Sequence, residues 1–364
     1  MTQSFASLLL FCRPGFEKEC LAEVTEAAAE CGHAGWSKLI ADSGMVQFQS
    51  DQAGRLYEQL PELIFAREVW PVFAEIDPLP SADRISPILA GLAQYRSESS
   101  TPFGQLFCDY AEGDAYRSTA RFAGKFVHPL RQALRKEGWI SSRERADLPA
   151  LHAFFPDSGS VLLGADLASK RPVWPMGLAR LKFPAAAPSR STLKLEEAFR
   201  VFLGAQWREH LQPTHTGVDL GAAPGGWTWQ LVNQGVAVAA IDNGPMDEAL
   251  MATGLVEHHR ADGFSWQPEH AVDWLVCDMV EQPDKVLRLM LHWLQQGRTQ
   301  QALFNLKLPM KKRWQAWLGL REPLQEALQA LPEPYGFKAK HLYFDREEIT
   351  LLIAPRATLE GVHD

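Results

Sequence analysis

The stretch Val218-Asp219-Leu220-Gly221-Ala222-Ala223-Pro224-Gly225-Gly226-Trp227-Thr228 decides the fold. A short apolar run ends in a turn of Gly, Ala and Pro, and the chain then enters a helical pattern. Glycine opens backbone conformations closed to other residues, and a turn without bulky side chains lets a ligand come close to the helix N-terminus. The stretch therefore reads as strand, turn and helix start, a cradle for a nucleotide-like cofactor. It is not the G-x-G-x-x-G of dinucleotide enzymes, and Pro-Gly-Gly at the helix start points to a different adenosyl ligand.

From Thr192 onward strand and helix patterns alternate, which implies a mostly parallel sheet covered on both faces. Strands are expected over 217–220, 237–241, 256–260, 273–277 and 302–306, with 341–344 and 349–353 flanking Asp345-Arg346 and including an antiparallel edge. In open sheets of this kind ligands sit outside the carboxyl ends of the strands. Acids occur there in series. Asp242 closes the second strand, where a carboxylate accepts from ribose hydroxyls; Asp262 follows the third and reaches toward an adenine edge; Asp278 closes the fourth and faces the reacting end. A lone Asp at a strand end is usually a cap, but three in register with the glycine turn favour a cofactor site. With the dinucleotide fingerprint absent, the adenosyl ligand read here is S-adenosylmethionine.

The residues after the fourth strand limit the acceptor. Methyltransferases that act on base nitrogens place Asn/Asp-Pro-Pro-aromatic there, and those that act on cytosine carbon use a Pro-Cys nucleophile. This chain has Cys277-Asp278-Met279-Val280, so neither is indicated, and Cys277 reads as a small core residue. Lys307 ends the fifth strand on the same rim as Asp278. A ribose hydroxyl is a poor nucleophile, and a lysine whose pKa is lowered by burial and a neighbouring cation can take its proton. Lys194 supplies a second ammonium group at the start of the domain. No metal is needed for such chemistry.

Composition bounds the rest. With 364 residues, 46% of them hydrophobic and 22% charged, the chain is long enough for two or three packed domains. No run approaches the roughly 20 apolar residues of a membrane span, and residues 1–12 lack a secretory pattern. Cys12, Cys20, Cys31, Cys108 and Cys277 are odd in number and never in C-x-x-C spacing, which disfavours disulfides and zinc alike. A cytosolic protein is expected.

The net charge of −8 argues against a nucleic-acid binder until its distribution is considered. Residues 117–145 carry eight Lys and Arg against two Glu, and residues 167–195 carry six cations and no acid. Arg117, Arg121, Lys125, His128, Arg131 and Arg135 fall within about 120° of a helical wheel, opposite Phe122, Phe126, Leu130 and Leu134. Pro129 is expected to interrupt or kink that helix. A solvated face and a phosphate-contacting face both fit; the lack of acids on it favours the second. Lys311, Lys312 and Arg313 after the fifth strand carry the same two readings, and Trp227 and Trp229 read as core rather than base-stacking platforms.

Residues 1–70 read as one small α/β unit (strands 7–11 and 44–48, helices 16–31 and 53–60) and 71–170 as another, holding the basic helix and strands at 105–110 and 160–165. Residues 171–188, rich in Pro and Ala, read as a linker to the domain at 189–364.

Ser189-Arg190 through Lys194-Leu195, the Asp219-to-Gly226 loop, Asp278, Lys307 and Arg346-Glu347-Glu348 resemble the Lys-Asp-Lys-Glu set of the FtsJ/RrmJ family of RNA ribose 2'-O-methyltransferases. The wording around Asp242-Asn243-Gly244-Pro245-Met246, Asn305-to-Lys312 and Asp345-to-Glu348 is similar to its members that methylate one cytidine ribose in the peptidyl-transferase loop of 23S ribosomal RNA. The resemblance implies a Rossmann-like class I S-adenosylmethionine-dependent domain with a mostly parallel seven-stranded sheet, preceded by a ferredoxin-like domain and a THUMP RNA-binding domain. It implies Lys307 as general base, with Lys194 and Asp278 setting its charge and Glu348, or else Glu347, as the fourth member. Ser189, Gly221, Ala222, Ala223, Pro224, Gly225, Asp242, Asp262 and Asp278 would hold S-adenosylmethionine. Arg117, Arg121, Lys125, Arg131, Arg135, Lys311 and Lys312 would contact RNA. The partner implied is 23S rRNA or a large-subunit assembly intermediate, met by a monomer without membrane or metal. Two other readings stay open: a ribose methylase of transfer RNA or a messenger cap, and a non-catalytic ribosome-assembly factor. A nicotinamide dehydrogenase is disfavoured by the missing glycine fingerprint.

Overall fold

The computed structural model describes residues 5–95 and 101–360. Its internal contacts divide the chain into two compact units, Met1–Leu178 and Ala179–Asp364. The first contains β1 (Ser7–Phe11), α1 (Glu17–Glu30), β2 (Met45–Gln49), α2 (Ala53–Gln59), β3 (Glu68–Ile76), α3 (Ile85–Tyr95), β4 (Gln105–Tyr110), α4 (Arg117–Lys136), β5 (Ala150–Phe155) and β6 (Val161–Ala165). All six strands lie in one sheet, in the order β2-β1-β3-β6-β5-β4. Only β4 and β5 run parallel. β3 pairs β1 on one side and β6 on the other, so the sheet is continuous through residue 70.

The basic helix forms without a break: α4 passes through Pro129, which lies on its exposed side. This corrects the expected interruption. The reason is the opposite face, where Leu130 and Leu134 are fully buried and Phe122 and Phe126 meet the edge of Phe155. Burying apolar side chains of that size, each worth about 1.5–3 kcal/mol, offsets the roughly 3 kcal/mol that an interior proline costs.

The second unit contains α5 (Thr192–Leu203), β7 (Thr216–Leu220), α6 (Gly226–Val232), β8 (Ala237–Ile241), α7 (Glu248–Met251), β9 (Val256–His259), β10 (Val272–Cys277), α8 (Pro283–Gln295), β11 (Thr299–Lys307), α9 (Arg313–Gln329), β12 (Tyr335–Lys340), β13 (Glu348–Pro355) and α10 (Arg356–Glu360). Its seven strands run in the order β12-β13-β11-β10-β7-β8-β9. β7 to β11 are parallel, and β13 enters antiparallel between β11 and β12. The strand order reverses at β7, between β8 and β10, so the ligand crevice lies beyond the carboxyl ends of β7 and β10.

The strand expected at 341–344 is a turn, and the edge strand is instead β12, just before it. Glu197 of α5 explains this: its carboxylate accepts from the backbone N–H of Tyr343 (2.7 Å) and Phe344 (3.0 Å), fixing the turn against the helix. Trp227 and Trp229 pack in or against the core on this side of the sheet. Cys277 is fully buried, and burial pushes its thiol up to about 12, as suits a small core residue. Among the described residues no helix is long and apolar enough to cross a membrane.

Candidate active site

The turn after β7 is shaped by packing as well as by backbone. Gly221 has φ +78°, and a Cβ there would come within 2.5 Å of Met279 Cγ. Gly225 has φ +114°, and a Cβ on Gly226 would strike the hydroxyls of Ser189 and Ser191, themselves 2.6 Å apart. Ser189 is thereby placed against the start of α6, which follows Ala222, Ala223, Pro224 and Gly225 in the chain. Asp219 latches strand to helix by accepting from Thr228 Oγ1 at 2.6 Å, and burial pushes its carboxyl up to about 7.

Asp242 holds this turn from the neighbouring strand, accepting from Ala223 N–H (3.0 Å) and Gly244 N–H (2.7 Å). An ionised carboxylate offers about four acceptor positions, so two remain for vicinal ribose hydroxyls. Asp262 is exposed, and its carboxylate accepts from Phe264 N–H at 3.0 Å; a Cβ on Gly263 beside it would meet Met279 Sδ at 3.2 Å. The donor and acceptor set around the turn fits the adenosine of S-adenosylmethionine: small residues where the backbone must be approached, and carboxylates at two strand ends.

Four side chains from four elements meet on the adjoining rim. Lys194 lies in the first turn of α5, Asp278 one residue past β10, Lys307 at the end of β11 and Glu348 at the start of β13. Lys307 and Glu348 are direct register partners across the antiparallel pair. Lys307 Nζ is 2.6 Å from Asp278 Oδ1 and 3.6 Å from Glu348 Oε1. Lys194 Nζ is 2.5 Å from Glu348 Oε1 and 3.3 Å from Asp278 Oδ2. Burial opposes the charge on Asp278, but Lys194, Lys307 and the Asn305 amide outweigh it and hold the carboxyl below its ordinary value. Burial likewise opposes the Lys194 ammonium, and Asp278 and Glu348 outweigh it, holding Lys194 protonated well above neutrality.

Of the two candidate acids, only Glu348 joins this group. The Glu348 side chain is 6% exposed, whereas that of Glu347 is 44% exposed and pairs with Arg313 at 2.6 Å. Arg313 is thus an anchor for the turn before β13 rather than a solvated helix terminus. Reading the sequence missed Asn305, Thr350 and Asp345, which are fully buried behind Asp278. Period-two spacing would have placed Asn305 beside Lys307 and Thr350 beside Glu348 on one face of the sheet.

The expected RNA-contacting residues separate into two sets. On α4, Arg121, Lys125 and Arg135 are exposed, Arg117 pairs with Asp114 at 2.7 Å, and Arg131 lies 3.6 Å from Glu144. Lys311 and Lys312 are exposed ahead of α9. The basic run at 167–195 is divided: Arg180, Lys182 and Arg190 are exposed, whereas Lys170 donates to the Tyr57 and Leu60 carbonyls and Arg171 forks onto Asp166. Lys170 and Arg171 hold the first unit together.

Comparison with known proteins agrees along the chain. Residues 5–70 match the family described as RlmM ferredoxin-like domain, 83–167 the N-terminal family of ribosomal RNA large subunit methyltransferase M, and 187–309 FtsJ-like methyltransferase. The large subunit methyltransferase M of Thauera aminoaromatica is 44% identical over 96% of each chain. That of Vibrio parahaemolyticus is 45% identical over 95% of this chain and 98% of its own. That of Xanthomonas campestris pv. campestris is 46% identical over 95% and 99%. Identity at this level over nearly the whole of both chains shows that the chain belongs to the ribosomal RNA large subunit methyltransferase M family.

Proposed function

We propose that the protein transfers a methyl group from S-adenosylmethionine to the ribose 2'-hydroxyl of one cytidine in 23S ribosomal RNA, in the cytoplasm, as a monomer acting on the rRNA or on a large-subunit assembly intermediate. The observation that carries this reading is the meeting of Lys194, Asp278, Lys307 and Glu348 beside the glycine turn. S-adenosylmethionine supplies an activated methyl group, which leaves the protein to align the hydroxyl and manage one proton.

The two lysines divide that labour. Lys194 bridges both carboxylates and keeps its proton, so it serves as fixed charge and orienting donor. Lys307 in its neutral form has a lone pair for the 2'-hydroxyl proton and still offers an N–H to Asp278. Once it takes the proton, the ammonium sits 2.6 Å from a carboxylate already ionised to receive it. Residues 1–70, 71–170 and 189–364 serve in this reading as ferredoxin-like, THUMP and catalytic domains, with 171–188 as linker and α4 as the phosphate-facing surface.

The test is tritiated methyl transfer from S-adenosylmethionine to 23S rRNA lacking its own modifications. Alkali-resistant label at a single cytidine is expected; RNA binding without label, even with assembly intermediates, would sink the enzyme reading. In the same assay Glu348→Gln is expected to lower the rate about 10²-fold or more, as loss of a buried charged partner does. Glu347→Gln, which loses only a partly exposed pair worth about 0–1 kcal/mol, is expected to stay within about twofold. Equal effects at the two positions would remove the distinction between them, and a larger loss at Glu347 would reverse it. On α4, Arg121→Glu with Lys125→Glu is expected to reduce the salt dependence of RNA affinity by about two contacts, with cofactor affinity unchanged. An unchanged slope would remove α4 from the interface.

A further inference from the structure

We infer that Asn305, set from behind by Thr350 and Asp345, is a positioning residue that holds the Asp278 carboxylate in place for Lys307. The inference rests on the ribose-methylation reading for its kinetic consequence, and on the placement of the buried side chains for the arrangement itself.

Asp278 Oδ1 accepts from Lys307 Nζ at 2.6 Å and from Asn305 Nδ2 at 2.9 Å. An ionised carboxylate only accepts, so the Asn305 amide must turn its nitrogen to Asp278 and its oxygen away. That oxygen lies 2.7 Å from Thr350 Oγ1, and the two residues are register partners in β11 and β13. Thr350 has one hydroxyl proton. Spent on Asn305, it leaves the contacts of Thr350 Oγ1 with the Asp345 carboxyl oxygens, at 2.9 and 3.1 Å, in need of a proton from Asp345.

Asp345 can supply it. It is fully buried, and burial, with the negative charges of Glu348 and Glu197, pushes its carboxyl up to about 8, against the opposing pull of the Leu342 N–H and Lys194. The chain of donors then runs one way: Asp345 O–H to Thr350, Thr350 O–H to Asn305, Asn305 N–H to Asp278. Three fully buried polar side chains are a costly way to fill a core, which apolar residues of like volume fill more cheaply. What the arrangement adds is a fixed direction for the carboxylate that touches Lys307.

Thr350→Val keeps shape and removes the proton that Asn305 needs; Asp345→Asn keeps a donor toward Thr350 but no longer titrates. Thr350→Val is expected to lower kcat about 10–100-fold with KM for S-adenosylmethionine and for RNA within about twofold, the range seen when an outer partner of a site residue is lost. The wild type is expected to lose kcat as pH rises through about 8, because a deprotonated Asp345 claims the Thr350 proton and leaves the Asn305 oxygen without a donor. Asp345→Asn is expected to stay active and to lack that alkaline fall, which a merely structural role would not predict. A folded Thr350→Val with wild-type kcat, or an Asp345→Asn profile that superimposes on the wild type, overturns the inference. If the wild type transfers no label to RNA, the methylation reading fails separately. Carbon-13 titration of the Asp278 carboxyl then decides: a higher pKa in Thr350→Val than in wild type upholds the arrangement, and an unchanged one overturns it.

Discussion

Lys307→Ala is expected to lower the single-turnover rate of methyl transfer by about 10²–10⁴-fold, the usual worth of a positioned general base, while S-adenosylmethionine and RNA bind as before. The side chain ends a buried strand at the rim, and its amine contacts Asp278 and Glu348 rather than either unit's core. Truncation therefore removes chemistry and little packing. The two carboxylates left behind keep Lys194 as a partner, so the fold is expected to survive. Lys307→Arg separates two ways in which the residue can act. Arginine keeps the positive charge and can pair with Asp278, but it does not release its proton at accessible pH. An inactive Lys307→Arg with normal RNA affinity supports a proton acceptor; an active one reduces the role of Lys307 to charge alone. Lys194→Ala is expected to lower both the rate and the order of the site, because it removes the ammonium that hydrogen-bonds both Glu348 and Asp278.

The methyltransferase half was legible because a parallel sheet gathers its functional ends on one rim. Once the apolar runs at 237–241 and 302–306 were read as strands, Asp242 and Lys307 had to emerge on the same side as the glycine turn. The first half was harder. β3 holds Pro71, which counts against a strand, and pairing with β6 begins only at Val72, one residue beyond it. β5 is buried along its whole length and carries a His, so it lacks the alternation that marks a half-buried strand. The turn at 341–344 was misread as a strand because its apolar residues are held by Glu197, a partner more than a hundred residues away. The Asn305–Thr350 pair was hidden for a related reason. It needs the knowledge that β13 inserts antiparallel beside β11, a register that no local pattern encodes.

His152→Phe is expected to destabilise the first unit by about 3–5 kcal/mol, the cost of breaking a buried ionic group by removing one partner. His152 lies on β5 with no exposed surface, stacked between Trp70 and Phe107 at centroid distances of 5.0 and 5.2 Å. Its ring nitrogens are 3.3 Å from Asp109 Oδ2 and 3.2 Å from Asp166 Oδ2, with Glu68 Oε1 at 3.9 Å. Burial opposes the imidazolium, but the bonds to Asp109 and Asp166 and the charge of Glu68 prevail and push the ring up to about 10. Glu68, His152 and Asp166 present ligand atoms within 4.8 Å of one another, the spacing of a metal site. Arg171 argues for a proton instead, since it forks onto both oxygens of Asp166. The sign follows from the raised value: the stabilisation is complete below the unfolded histidine pKa of about 6.5 and is lost as pH rises through about 10. Glu68, pushed up to about 7 by burial, adds a loss of the same sign between about 4.5 and 7. Urea unfolding of the full chain from pH 6 to 10 is therefore expected to show stability falling with pH, and a shallower fall above pH 7 in His152→Phe. Equal slopes above pH 7 would mean that His152 is neutral in the folded protein, and stabilisation of the wild type by added zinc would mean that the cluster is built for a cation other than a proton.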